Sequence, residues 1–153
     1  MPPRKLTTEE YISYMDKTPV ACIDIVLFNE NRTQVLLFKR TNEPAQGIYF
    51  TPGGCIQKGE TFAEAAIRKM KEELNISLRH EELTNPHIIE ELWPNSAFPN
   101  ISYHAITIFF GYTLTKAEAD AITLDLQHSA RQWFSVDDPS IHPYIQERIH
   151  RTR

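Results

Sequence analysis

The pair Gly53-Gly54, followed by Glu60, Arg68, Lys69, Glu72 and Glu73, gathers unhindered backbone, carboxylates and cations into one short run. Hard divalent ions such as Mg²⁺ take oxygen ligands of this kind, commonly one or two carboxylates together with substrate phosphates. Two glycines without Cβ atoms allow backbone groups to approach such a ligand. The set therefore suggests phosphate chemistry, with one question attached. Lys69 puts a cation between Arg68 and the Glu72-Glu73 pair. If the reaction needs a base and this helix lacks one, another segment must supply it.

The elements that carry these residues follow from periodicity. Thr61 and Glu64 form a capping-box signature for a helix from about Phe62 to Leu74. On it Phe62, Ala66, Met70 and Leu74 make an apolar stripe, and Glu64, Arg68 and Glu72 run along a polar edge. Glu73 lies beside the stripe, so it is expected to be partly covered and to need a metal or a cation as partner. The same spacing also fits a solvated helix laced by the i, i+4 pairs Glu64–Arg68, Arg68–Glu72 and Lys69–Glu73, each worth a few tenths of a kcal/mol.

Upstream, VACIDIVLF (20–28) and TQVLLFKR (33–40) read as strands of a hairpin closed by the turn NENR. A short helix over 7–16 starts on a second capping box, Thr7 and Glu10, and Pro19 keeps it from extending. IYF is a short apolar segment before the glycines. Further strands are expected at 86–92, 102–114 and 131–136, and a C-terminal helix after Asp137-Asp138-Pro139. ELWPNSAFPNISY (91–103) reads as an irregular loop that could line a pocket. This alternation predicts an α/β (α+β type) fold, a mixed sheet sandwiched between helices, in one domain over residues 1–153.

Composition narrows the partners. With 41% hydrophobic and 24% charged residues the chain is an ordinary globular one, and no apolar run approaches a membrane span. A net charge of −4 argues against a general nucleic-acid binder, leaving a small anionic ligand held by local cations. The start, MPPRKLTTEE, has no apolar region behind its basic residues, so no secretory signal is expected. Cys22 and Cys55 are too few for a disulfide framework and lack metal-site spacing, which fits reduced thiols in the cytoplasm.

The spacing Gly54-x5-Glu60-x7-Arg68-x3-Glu72-Glu73, ending at Asn75-Ile76, resembles the Nudix box, G-x5-E-x7-R-E-U-x-E-E-x-G-U with U aliphatic. It departs at Lys69, in place of Glu, and at Asn75, in place of Gly; asparagine is the next best residue for a left-handed helix terminus. A narrower stretch, KRTNEPAQGIYFTPGGCIQKGET (39–61), is similar to the GDP-mannose mannosyl hydrolases, a Nudix branch whose box also lacks the helix base. That likeness continues to Gln127-His128 and Trp133.

The resemblance implies a Nudix fold and a Mg²⁺-dependent attack by water on the anomeric carbon of a nucleotide sugar, with Mn²⁺ as a substitute ion. His128, in a loop before the last strand, would be the base. The carbonyl of Gly53, Glu73 and Gln127 would hold the metal, with Glu72 in the same set. Arg40 would stabilise the departing diphosphate, Arg68 would be braced by neighbouring carboxylates, and Asp24 would sit near the ligand. A homodimer is expected by family alone. Cys55 and Ala105 stand where that branch has arginine and tyrosine, so the preferred sugar stays open. Two other readings remain: a conventional pyrophosphohydrolase with Glu90 or Glu91 as base, and a non-catalytic nucleotide-sugar-binding domain. Bland readings also stand: His128 as one surface histidine of six, Asp24 as a strand residue facing water, and Trp133 and Phe134 as core.

Overall fold

A computed structural model describes residues 4–124 and 128–153, with only the backbone of His128 and Ser129. The chain runs α1 (Thr8–Lys17), β1 (Val20–Phe28), β2 (Gln34–Arg40), β3 (Tyr49–Phe50), β4 (Gly53–Cys55), α2 (Phe62–Leu74), β5 (His87–Trp93), β6 (Tyr103–Thr113), α3 (Lys116–Asp120), β7 (His128–Ser135) and α4 (Pro143–Thr152). Among the described residues seven strands form one mixed sheet. β1 pairs β6 in parallel, and the other neighbours are antiparallel.

The expected hairpin exists only at its tip. β1 and β2 pair at Leu27 with Leu36 and at Phe28 with Val35, and then part. Residues 49–55 fill the gap: β3 continues along β2, pairing Phe38 with Phe50, and β4 along β1, pairing Cys22 to Asp24 with Cys55 to Gly53. Splitting the hairpin in this way places the two glycines against the middle of the sheet.

Strand alternation sorts the side chains to two faces. Ile23, Ile25 and Leu27 pack with Ala66, Met70 and Leu74 of α2, whereas Val26 and Phe28 pack with Ile145 and Ile149 of α4. Met70 and Leu74 are fully buried, each contributing about 1.5–3 kcal/mol by the usual burial scale. Both capping boxes form, Thr7 with Glu10 and Thr61 with Glu64, and Asn75 ends α2 in the left-handed conformation at φ 55°. Phe62 does not belong to the buried stripe; at the first turn of α2 it is 44% exposed, and Ala65 takes the covered position. Of the segment 91–103, residues 91–93 complete β5 and Tyr103 opens β6, so the irregular part is the middle.

Candidate active site

An open cleft of about 1120 Å³ lies where β4, α2 and the loop after β2 meet. Its walls include Asp24, Arg40, Gly53, Arg68, Glu73 and Glu91. The cleft is roomy enough for a nucleotide-sized ligand.

Its floor is the contact between β4 and α2. Gly53 donates its N–H to Glu73 Oε2 at 3.2 Å. A Cβ at Gly53 would lie 2.1 Å from both Asp24 Oδ1 and the Ile23 carbonyl oxygen, so only glycine fits. At Gly54 a Cβ would come within 2.5 Å of Lys69 Cε, which makes the second glycine the gap through which the lysine reaches. Lys69 Nζ ends 3.1 Å from Glu73 Oε1 and 3.5 Å from Glu72 Oε2. Burial alone would push the lysine down, but Glu73 and then Glu72 hold its ammonium above the ordinary value. Glu73, only 3% exposed, thus has the cationic partner that its position beside the stripe demanded.

Arg68 is braced as expected. It grips Glu60 through Nε and Nη2, donates to the Cys55 carbonyl at 3.0 Å, and meets Glu72 at 3.3 Å across one helical turn. Its hydrogen bond to Glu60 raises the guanidinium and lowers the carboxyl. Glu64 caps Thr61 through its side chain, at 2.7 Å.

Asp24 does not face water. It accepts from Thr51 Oγ1 at 2.8 Å and from Arg148 Nη2 at 3.1 Å, and the same guanidinium nitrogen reaches Glu91 Oε2, also at 3.1 Å. Thr107 donates to Glu91 at 2.5 Å. Burial lifts the Asp24 carboxyl to about 6 despite the opposing pull of Arg148. Arg148 was missed by sequence reasoning. The signal was its place in α4, since Ile145, Arg148, Ile149 and Thr152 follow the i, i+3, i+4, i+7 spacing of a buried face.

Arg40 ends β2 with Nε donating to the Pro44 carbonyl at 2.8 Å, which fixes it at the cleft edge. His128 is the first residue of β7 rather than part of a preceding loop, because β7 pairs along the whole of β2 and carries His128 opposite Arg40. Gln127 lies outside the described residues. The structure thus brings Asp24, Gly53, Arg68, Glu72 and Glu73 together, with Arg40 across the cleft. Ala105 is buried on β6, while Tyr103, two residues before it, lines the cleft.

Among the described residues no three His, Cys, Asp or Glu side chains converge as a metal cage. The donors that do face the β4–α2 contact are all oxygens, from Glu72, Glu73 and the Gly53 backbone. That donor type fits one hard divalent cation completed by substrate phosphates.

The model of the NUDIX domain matches residues 18–152. The low-salt glycan biosynthesis protein Agl8 of Haloferax volcanii is 31% identical over 149 residues, covering 97% of this chain and 91% of that one. The NAD-capped RNA hydrolase NudC of Haemophilus influenzae is 34% identical over 125 residues, 79% of this chain but 42% of its own length. Among solved structures, the MutT NUDIX hydrolase from Burkholderia pseudomallei superposes with a TM-score of 0.70 at 20% identity, over 90% of this chain and all of the other.

Proposed function

The chain belongs to the Nudix hydrolase family, and from that premise we propose that it hydrolyses a nucleotide sugar of the GDP-mannose type. Water attacks the anomeric carbon, and the products are a nucleoside diphosphate and the free sugar. The observation that carries this reading is the position of Lys69 Nζ, 3.1 Å from Glu73 and 3.5 Å from Glu72. Where a helix carboxylate would activate water for attack on phosphorus, this helix presents an ammonium. The part that the Haloferax relative's name gives it in glycan biosynthesis supports a substrate that carries a sugar.

Glu73, with Glu72, the Gly53 carbonyl and Gln127, would hold Mg²⁺, or Mn²⁺ in its place. The backbone supports the Gly53 role. At its unbonded position in the β1–β4 ladder, the N–H and C=O of Gly53 both turn from β1 toward α2, and the N–H already meets Glu73. The ion, when bound, neutralises charge on the diphosphate and so eases its departure. Arg40 adds a fixed cation at the cleft edge, and Arg68, locked by Glu60 and Glu72, holds the carboxylates in register. Asp24 Oδ1, directed at Gly53, accepts a hydroxyl from the ligand. His128 takes the proton from water, a task suited to a group whose ordinary pKa is about 6.5.

The pyrophosphohydrolase reading needs a different base. Glu91 lines the cleft, yet its Oε2 is already engaged by Arg148 at 3.1 Å and by Thr107 at 2.5 Å, which ties the side chain into the buried cluster with Asp24. Glu90 instead bonds His104 at 2.8 Å and is mostly exposed. Binding without turnover is the least favoured reading, because the carboxylates, Arg68 and His128 are all retained.

A panel of nucleotide sugars assayed with Mg²⁺, with products separated, tests the substrate class. Release of nucleoside diphosphate and free sugar from a GDP-hexose is expected. His128→Gln should lower kcat by roughly 10²- to 10⁴-fold with little change in substrate binding. An unchanged kcat in that variant would remove His128 from the reaction.

A further inference from the structure

Cys22 and Cys55, distant in sequence, are direct partners across the β1–β4 ladder. The backbone hydrogen bonds on either side fix the kind of pairing. Ile56 donates to the Ala21 carbonyl at 3.0 Å and Ile25 to the Pro52 carbonyl at 3.1 Å. In an antiparallel ladder these bonds make Cys22/Cys55 and Asp24/Gly53 the unbonded, narrow pairs, whose Cα atoms lie about 4.5 Å apart with side chains on one face. A disulfide requires Cα atoms about 4.4–6.8 Å apart, so this position needs no backbone rearrangement.

The two thiols differ in access. Cys22 is 4% exposed, with Sγ 3.1 Å from the Tyr103 hydroxyl. Cys55 is half-buried at the cleft wall, and its thiol donates to the Tyr11 hydroxyl at 3.7 Å. Both residues border the cleft, and Cys55 is the less buried of the two.

We propose that Cys22 and Cys55 are a redox-active dithiol, a modification site in the cleft wall that a peroxide closes to an intramolecular disulfide. Cys55, having released its proton, attacks one peroxide oxygen. The O–O bond breaks, water leaves after protonation of the departing oxygen, and Cys55 becomes a sulfenic acid. Cys22 sulfur then attacks Cys55 sulfur, and the hydroxide displaced from it leaves as water with the Cys22 proton. In sum, two thiols and one hydrogen peroxide give one disulfide and two waters. The sulfurs lose the two electrons that the peroxide oxygens gain. The bond tethers β4 to β1 next to the Asp24/Gly53 pair and is independent of which substrate the cleft takes.

The test uses the full chain treated with hydrogen peroxide, followed by intact mass, thiol titration after denaturation and peptide mapping. A loss of about 2 Da, disappearance of both titratable thiols, a Cys22–Cys55 linked peptide and a Tm higher by several degrees are expected, all reversed by dithiothreitol. Cys22→Ser should instead gain about 16 or 32 Da at Cys55 under the same treatment. Oxygen added to Cys55 in the wild-type chain with Cys22 still titratable would overturn the proposal, as would a dimer cross-linked through Cys55 or two unreacted thiols.

Discussion

Lys69 sets the charge of the helix that carries the box. With Glu73 buried and Glu72 beside it, the ammonium neutralises the charge that would otherwise attract a further cation. Lys69→Glu should therefore let about one further divalent ion bind per chain in the nucleotide complex. Calorimetry or metal analysis returning the same stoichiometry as the wild type would contradict this role.

Asp24 gives a test in pH. Its folded carboxyl titrates near 6, above the ordinary 3.8, so between these values the native state holds a proton that the unfolded chain has lost. Stability contributed at this site is full below about pH 4 and is lost as pH rises to about 6, by at most ~1.4 kcal/mol per pH unit. Asp24→Asn should abolish that slope. Urea unfolding of both proteins from pH 4 to 8 checks it, and parallel stability curves would show that Asp24 titrates normally. At this scale the burial of Glu73 was legible, because its helical angle puts it against the apolar stripe. The surroundings of Asp24 were not. Its partners Thr51, Glu91 and Arg148 come from three other segments, and no local pattern announces a buried ion cluster.

Among the elements, α4 does more than cover the sheet. It delivers Arg148, fully buried, between Asp24 of β1 and Glu91 of β5. Arg148→Met keeps an unbranched stem but removes the guanidinium, leaving both carboxylates without their cation, and should cost about 3–5 kcal/mol of stability. Adding Asp24→Asn and Glu91→Gln to that variant should restore part of the loss. A loss below about 1 kcal/mol in denaturant unfolding would mean that the cluster is solvated. α1 and α2 were legible to within a residue because caps and period-3.6 stripes are local signals, whereas the five-residue α3, capped by Thr115, was not expected. β4 was not, since three residues rich in glycine carry no strand propensity and are held only by pairing with β1. For the same reason the hairpin was expected to be longer than it is: alternation reveals strands but not the insertion of residues 49–55 between them. It also explains why Cys22 and Cys55 read as unrelated thiols.

For the molecule as a whole, an acidic chain of net charge −4 collects Arg40, Arg68 and Lys69 around one cleft, where an anionic diphosphate would be held. No helix among the described residues is long and apolar enough to cross a membrane. The mixed sheet between helices was legible from the order of elements, and its NUDIX match confirms the architecture. The proposed direction of attack rests on Lys69 and on the likeness around Gln127-His128, and it is the point on which the functional account turns. Attack at the anomeric carbon puts the oxygen of water on the sugar, whereas attack at phosphorus puts it on a phosphate. Hydrolysis of a GDP-hexose in ¹⁸O-water, read by mass spectrometry, separates them. The account predicts label in the free sugar, released with inverted configuration as a single displacement requires, and an unlabelled nucleoside diphosphate. Label in a nucleoside monophosphate or a sugar phosphate would contradict it.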